Sequence, residues 1–241
     1  MLGCILTVMN IGMPLPPDQV NLSRSLPAKP AALVLDGRRV RLEPLNLQRD
    51  NAPLHKVSCG DSFELGGKTQ ATYDADDLIW RYMAAGPFAT SCKLAAFLNP
   101  QIEAANGLCF CVYSKELQSQ VGVVNYMNNF PEHLKIELGN IWYSPIVQRT
   151  GVNLEATYLL LNHAFELGYR RVEWKCDSLN ERSRRAALAM GFKFEGIQES
   201  HFIIKGRNRD TAWYRILADE WPTVMARLNS LLERDQAVID R

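Results

Sequence analysis

The apolar rhythm of the chain changes near residue 107. From there on, short runs with strand character dominate. Leu108 to Tyr113 and Gln120 to Tyr126 are apolar segments separated by polar Ser114-Lys115-Glu116, the pattern of an antiparallel hairpin. Leu134 to Tyr143 predicts a third strand, with Gly139-Asn140 in its middle where a bulge or splay is expected. The segment Val152 to Leu167 carries Tyr158-Leu159-Leu160-Leu161 and Phe165, too apolar for a surface helix, and is closed by Gly168; it predicts a helix buried against a sheet. Val172 to Asp177 alternates as a strand, and Asn180 opens a helix through Ala186, Leu188 and Met190 that ends at Gly191. Phe194 to Ile204 and Thr211 to Leu217 flank Gly206 as a last pair of strands. Three strands, helix, strand, helix, hairpin predicts an α+β fold on a mixed sheet, with one βαβ unit around the Val152 helix.

The first half is less regular. Residues 1 to 36 carry five prolines, at 14, 16, 17, 27 and 30, show no periodicity and predict a disordered or extended segment. Order begins with Val40 and Leu42 alternating with charges, as in a half-buried strand. Asn46 to Val57 predicts a weak helix, Asp74 to Asp77 a helix start before Leu78, Ile79, Tyr82 and Met83, and Cys92 to Ala105 another helix. The piece around Gly60, Gly66 and Gly67 reads as loop. One domain over 37 to 221 follows, with a C-terminal helix over 222 to 241 packed on or extending it, whose Val224, Leu228 and Leu231 share one face.

Composition narrows the function classes. The 241 residues, 47% apolar, suffice for one sizeable core, and a net charge of +1 supplies no global field for nucleic acid or an anionic membrane. No apolar run approaches the roughly 18 residues that span a bilayer, and the apolar opening Met1 to Met9 lacks the basic region of a signal peptide; a cytoplasmic protein is expected. The six cysteines contain no CxxC pair and the four histidines are scattered, so no metal site is expected. Cys109 and Cys111 fall on one strand face, as buried small hydrophobes would.

One turn stands out for chemistry. Gln148-Arg149-Thr150-Gly151-Val152-Asn153 leads from the third strand directly into an apolar helix. Such a turn presents unpaired backbone N–H groups and a positive helix end to an anion such as phosphate. GxxxxGK[ST] and GxGxxG are both missing from the chain, which disfavours nucleoside triphosphates and dinucleotides as the guest.

The segment from Ile136 to Trp221 resembles the GNAT superfamily of acyl-CoA N-acyltransferases, in particular its ribosomal-protein N-acetyltransferase-like (RimJ/RimL-type) branch. The pyrophosphate turn of that superfamily, Gln/Arg-x-x-Gly-x-Gly/Ala, is met by Gln148 to Asn153, with Asn153 in place of the last small residue. Asn180-Glu181-Arg182-Ser183 at a helix start, then Gly191-Phe192 and Glu195-Gly196, matches the second signature of the branch. The resemblance implies a GNAT-like fold, a central, mostly antiparallel mixed sheet flanked by helices, and acetyl-CoA as cosubstrate. It places the pyrophosphate on the amides from Arg149 to Asn153 and the pantetheine arm beside Ile141, Trp142 and Tyr143. It also gives Asn180 a hydrogen bond to that arm and Ser183 the role of proton donor to the leaving thiolate. The competing reading of the Trp142 and Tyr143 side chains is core packing, and that of Asn180 and Ser183 is helix capping, which one residue can combine with the functional role.

The implied reaction has a proton problem. A lysine-like amine with pKa near 10.4 is neutral in only about one part in 2,500 at pH 7, a deficit of about 4.6 kcal/mol, whereas an α-amine loses only about 1–1.4 kcal/mol. Glu137, beside the expected splay, is the candidate base, directly or through a water; the competing reading is a strand charge that faces solvent or pairs with Lys135. His201 and Glu199 are the next candidates. Arg182, Arg184 and Arg185 suit the 3′-phosphate of CoA or a solvated helix face, and Lys205 to Asp210 suits a turn or an acceptor-site rim. The expected activity is acetyl transfer to a primary amine of a small molecule or a protein N-terminus, by direct attack in a ternary complex of a monomer or homodimer. A non-catalytic acyl-CoA-binding or interaction module is the alternative, while a G-x-S-x-G hydrolase is disfavoured by the missing motif.

Overall fold

The structure is a computed structural model and describes residues 12 to 239; the apolar opening Met1 to Met9 lies outside them. Its elements are α1 (Pro17–Ser25), β1 (Leu35–Asp36), β2 (Val40–Pro44), α2 (Leu47–Lys56), β3 (Phe63–Leu65) and β4 (Lys68–Gln70). A π-helical turn (Asp76–Trp80) precedes α3 (Ser91–Glu103), β5 (Leu108–Ser114), β6 (Ser119–Phe130) and β7 (Lys135–Tyr143). Then come α4 (Val152–Glu166), β8 (Arg171–Asp177), α5 (Glu181–Ala189), β9 (Lys193–Ile204), β10 (Arg207–Leu217) and α6 (Trp221–Ile239).

Eight strands form one sheet in the order β1-β2-β5-β6-β7-β8-β10-β9, and β7 with β8 is its one parallel pair. That pair is joined through α4, because a parallel return needs a crossover. Alternation along the strands feeds two cores. One joins Val40, Phe110, Tyr126, Leu138, Val172 and Tyr214 to Leu160 of α4, Ala187 of α5 and Leu228 of α6. The other sets Leu54 of α2, Trp80 of the π-turn and Leu94 and Leu98 of α3 against Cys109, Cys111, Val123 and Trp142. Burial pushes both core thiols well up, so they sit there as apolar groups.

Three expectations from the first half change. Pro17 to Ser25 is a helix, with Pro at its first position, where a missing N–H costs nothing, and Leu22 lies against Gly168 at the end of α4. The glycine-rich piece holds the small hairpin β3–β4, turned by Gly66 and Gly67 at φ 55° and 73°. The acidic start at Asp74 yields only a single wide turn, after which the chain leaves helical geometry.

A contact hidden in the sequence fixes the start of α4. The buried Glu155 carboxylate accepts backbone N–H bonds from Arg38, Arg39 and Val40 at 2.9, 2.7 and 2.9 Å. Gly37 makes room for it: a Cβ there would stand 2.7 Å from the carboxyl carbon of Glu155. Arg39 adds a bond from Nη1 to the Thr150 carbonyl at 3.1 Å. Among the described residues no helix is long and apolar enough to cross a membrane.

Candidate active site

The strand pair β7–β8 opens partway along its length. Parallel pairing runs from Lys135 opposite Arg171 to Leu138 opposite Trp174 and stops there. From Gly139 to Tyr143, β7 pairs with β6 alone, so its other edge is left without a strand partner. A register shift in the β6 pairing falls between the Asn125–Gly139 and Val123–Trp142 partners, and Asn140 takes φ 48° to accommodate the extra residue. Asn125 spans the irregularity with a bond from Nδ2 to the Asn140 carbonyl at 3.3 Å. The expected splay at Gly139-Asn140 is therefore present.

The opening leads into a cleft of about 1100 Å³. Its walls come from Glu137 to Tyr143, from Gln148, Arg149 and Asn153, from Trp174 to Asp177, and from Asn180, Arg182 and Ser183, with Leu78, Ile79, Arg81, Tyr82 and Met83 opposite. Thr150, Gly151 and Val152 are not wall residues; they form the turn beneath Arg149 and Asn153. Gly151 is the N-cap at φ 79°, without a side chain to cap the helix, and Arg149 is also left-handed at φ 65°. Among the described residues, the backbone N–H groups of Arg149 to Asn153 meet no protein acceptor. Orphan amides converging at a helix start fit an anionic group such as a pyrophosphate. The free β7 edge fits an extended amide-bearing arm, which can add to it as a strand would.

Several predicted side chains prove to be scaffold. Gln148 donates from Nε2 to the carbonyls of Leu78 and Tyr143 at 3.1 and 3.2 Å, tying the turn to the opposite wall. Thr150 bonds the Val147 carbonyl at 2.7 Å. Trp142 is 3% exposed and packs on Trp80 with centroids 5.0 Å apart, while Tyr143 belongs to the other core and its hydroxyl is held well above its ordinary pKa by burial. Ile141 is half-buried beside them. Asn180 caps α5, accepting the Ser183 N–H at 3.1 Å, so the capping reading holds; its Nδ2 has no protein partner among the described residues. Ser183 Oγ accepts the Trp174 indole N–H at 3.1 Å, which orients the hydroxyl in the cleft wall.

Glu137 faces neither solvent nor Lys135, which bonds Glu173 instead. Its carboxylate is 1% exposed, and Oε2 takes a bond from Asn128 Nδ2 at 2.8 Å and an ion pair from Lys175 Nζ at 3.0 Å. The other oxygen, Oε1, has no partner. Burial pushes its pKa up, and Lys175 and Asn128 oppose that only in part. Lys175 and Asn128 escaped notice because one lies on β8 and the other in a bulge of β6, at φ 47°. His201 stands on β9 against Phe202, its pKa lowered by burial and by Lys175 and Arg209, while Glu199 is exposed.

The arginines of α5 serve different ends. Arg182 Nη2 bonds the Asp77 carbonyl at 2.6 Å and Arg184 bonds Tyr214 and Ser178, both at 3.1 Å. Lys205, at the β9–β10 tip, reaches the Trp80 carbonyl at 2.7 Å. With Gln148, these contacts pin the π-turn across the cleft from three sides. Among the described residues no group of three His, Cys, Asp or Glu is placed to hold a metal ion.

Comparison with known proteins agrees with this geometry. The Acetyltransferase (GNAT) domain profile matches residues 39–193. A GCN5-related N-acetyltransferase from Brucella melitensis is similar at 35% identity, over 83% of this chain and 86% of its own, with a TM-score of 0.75. A probable GNAT-family acetyltransferase from Chromobacterium violaceum is 30% identical over 89% of this chain and 98% of its own, with a TM-score of 0.74. A Salmonella typhimurium acetyltransferase that modifies the N-terminal serine of ribosomal protein L7/L12 shares the fold at 14% identity, with a TM-score of 0.62 over 77% of this chain and 99% of its own. No curated protein matches the chain. The open strand pair, the uncapped turn and these relatives agree: the chain belongs to the GNAT family of acetyltransferases.

Proposed function

We propose that this acetyltransferase carries the acetyl group of acetyl-CoA to a primary amine by direct attack, with Glu137 taking the amine proton. The observation that carries the reading is the unpartnered Oε1 of Glu137, buried in the same cleft as the free edge of β7. Bound acetyl-CoA supplies an acyl thioester. The amides of Arg149 to Asn153 hold its pyrophosphate, the edge from Gly139 to Tyr143 holds its arm, and Asn180 Nδ2 adds a hydrogen bond. A backbone N–H near Ile141 stabilises the negative charge that develops on the carbonyl oxygen.

Glu137 Oε1 accepts the proton of the incoming ammonium, directly or through one water. A raised pKa makes it a better match to an amine than an exposed carboxylate would be, and Lys175 keeps it ionised and oriented. Ser183, with its oxygen held by Trp174, gives a proton to the thiolate that leaves. The cysteines play no covalent part: Cys176 lines the cleft, but burial raises its pKa and no base stands beside it.

The acceptor is a small-molecule amine or a protein N-terminus. Calorimetric titration with acetyl-CoA, followed by CoA release with panels of amines and N-terminal peptides, tests the reading. Binding with amine-dependent release is expected; binding with no release for any amine would leave a CoA-binding module, and no binding by folded protein would refute the assignment.

A further inference from the structure

Beyond Glu137 the sheet face continues across β8, β10 and β9 with side chains that neither core uses. Lys175 is opposite Trp213, and Arg209 is opposite Phe202. Lys175 Nζ stands 5.2 Å from the Trp213 ring and 5.9 Å from the Phe202 ring, and the Arg209 guanidinium lies 5.6 Å from the Phe202 ring. The His201 ring lies against Phe202, tilted by 34°, with centroids 3.8 Å apart.

Charge along this row does not balance. Glu137 and Lys175 neutralise each other, whereas Arg209 forms no ion pair among the described residues, although it lines the same cleft. Three polar atoms in the row are buried without a partner: Glu137 Oε1, Arg209 Nε and His201 Nδ1. Buried polar groups are normally paired, so a ligand that completes this row carries a donor at one end and an acceptor at the other. A guanidinium with a free Nε is built for a carboxylate, which it can grip with two parallel bonds. The Phe202 and Trp213 rings between the ends suit the apolar part of such a ligand.

We propose that Arg209, with His201 beside it, is a specificity-determining subsite for a carboxylate on the acceptor, whose amine is presented to Glu137. The inference rests on the acetyl-transfer reading above and names the acceptor class: a primary amine that also bears a carboxylate several bonds away. Arg209 lies two strands from β7 and six residues along β10 from Arg215, which shares a register row with Glu173 and Glu137, so a carboxylate on the carbon next to the amine would not reach. The same chemistry occurs in an ω-amino acid and in an N-terminal peptide with an acidic residue near its start.

Matched acceptors separate these sources. Full-length protein with saturating acetyl-CoA is assayed on 6-aminohexanoate against 6-aminohexanamide, and on Gly-Gly-Glu amide against Gly-Gly-Gln amide. In at least one pair the carboxylate form is expected to have kcat/KM about 10- to 100-fold higher, mostly through KM, as a charge-assisted hydrogen bond would give. That ratio should fall to about one in Arg209→Gln and be partly kept in Arg209→Lys, since a lysine retains the charge but not the fork. Because the ratio is taken within each variant, a general loss of activity does not imitate the effect. Equal rates for both members of each pair, or a preference that survives Arg209→Gln, overturn the carboxylate subsite while leaving acetyl transfer in place. No transfer to any of the four overturns the subsite; whether acetyl-CoA binds and is turned over with other amines then decides the fate of the broader reading.

Discussion

The two ends of the cleft are built from different materials. At the α4 end the groups proposed to hold the cofactor are main-chain amides of Arg149 to Asn153, and the surrounding side chains, Gln148, Thr150, Arg39 and Glu155, fasten the turn. At the Glu137 end the groups proposed to act are side chains gathered from four strands: Asn128 on β6, Glu137 on β7, Lys175 on β8 and Arg209 on β10. A backbone site tolerates changes in side chains but not in conformation. A side-chain site behaves in the opposite way, and substitutions should tell the two apart.

The largest effect is expected at the side-chain end. Glu137→Gln should lower kcat for a lysine-like amine at pH 7 by about 10²–10⁴-fold, and by less for an α-amine, which needs less help to lose its proton. Since the Glu137 pKa is raised, the wild-type rate should climb with pH through that raised value as the carboxylate ionises. The variant should lose this step, and a pH–rate profile identical to wild type would remove Glu137 as the base. Next in size is a change to the fastening of the other end. Glu155→Ala leaves three backbone donors without their carboxylate and should cost about 2–4 kcal/mol in denaturant unfolding. Acetyl-CoA affinity should drop with it, and a loss of stability with no loss of affinity would show that the turn holds its shape unaided.

Ser183→Ala is expected to be milder, about tenfold in kcat, because a thiolate with a pKa near 8.5 leaves readily without a donor. A solvent-isotope comparison of the two proteins checks it. Smallest of all, Arg182→Ala removes a half-exposed pair with Asp77 and should change stability by less than about 1 kcal/mol. A larger shift in the melting temperature would mean that the π-turn depends on this pin more than on Gln148 and Lys205.

The same contrast explains what could be read from the sequence. The α4 turn is contiguous, so its glycine, its preceding strand and its apolar helix all sit within one window, and the bulge at Gly139-Asn140 announced itself through a glycine in a strand. The resemblance to a known family also rests on such contiguous pieces. Lys175, Asn128 and Arg209 lie 38, 9 and 72 positions from Glu137; sheet register brings the first two into contact with it and the third into the same cleft. Alternation in β8 shows that Lys175 points away from Trp174, but not that a carboxylate waits on the neighbouring strand. Glu155 looked like an acidic residue in a first helical turn, a common feature with a local explanation. Its true partners are three amides more than 110 residues earlier. Prolines dominate the surroundings of Pro17 to Ser25 and mask its helix in the sequence, although one of them opens it.

Calorimetric titration of acetyl-CoA into Gly151→Asp and Glu137→Gln, each shown to be folded, tests the division of labour most directly. The Gly151→Asp change places a side chain and a negative charge where the backbone stands at φ 79°, in the turn proposed to hold the phosphates. Affinity should fall at least about 30-fold in Gly151→Asp while staying within about threefold of wild type in Glu137→Gln. Unchanged affinity in folded Gly151→Asp would contradict a cofactor held by the main chain of this turn.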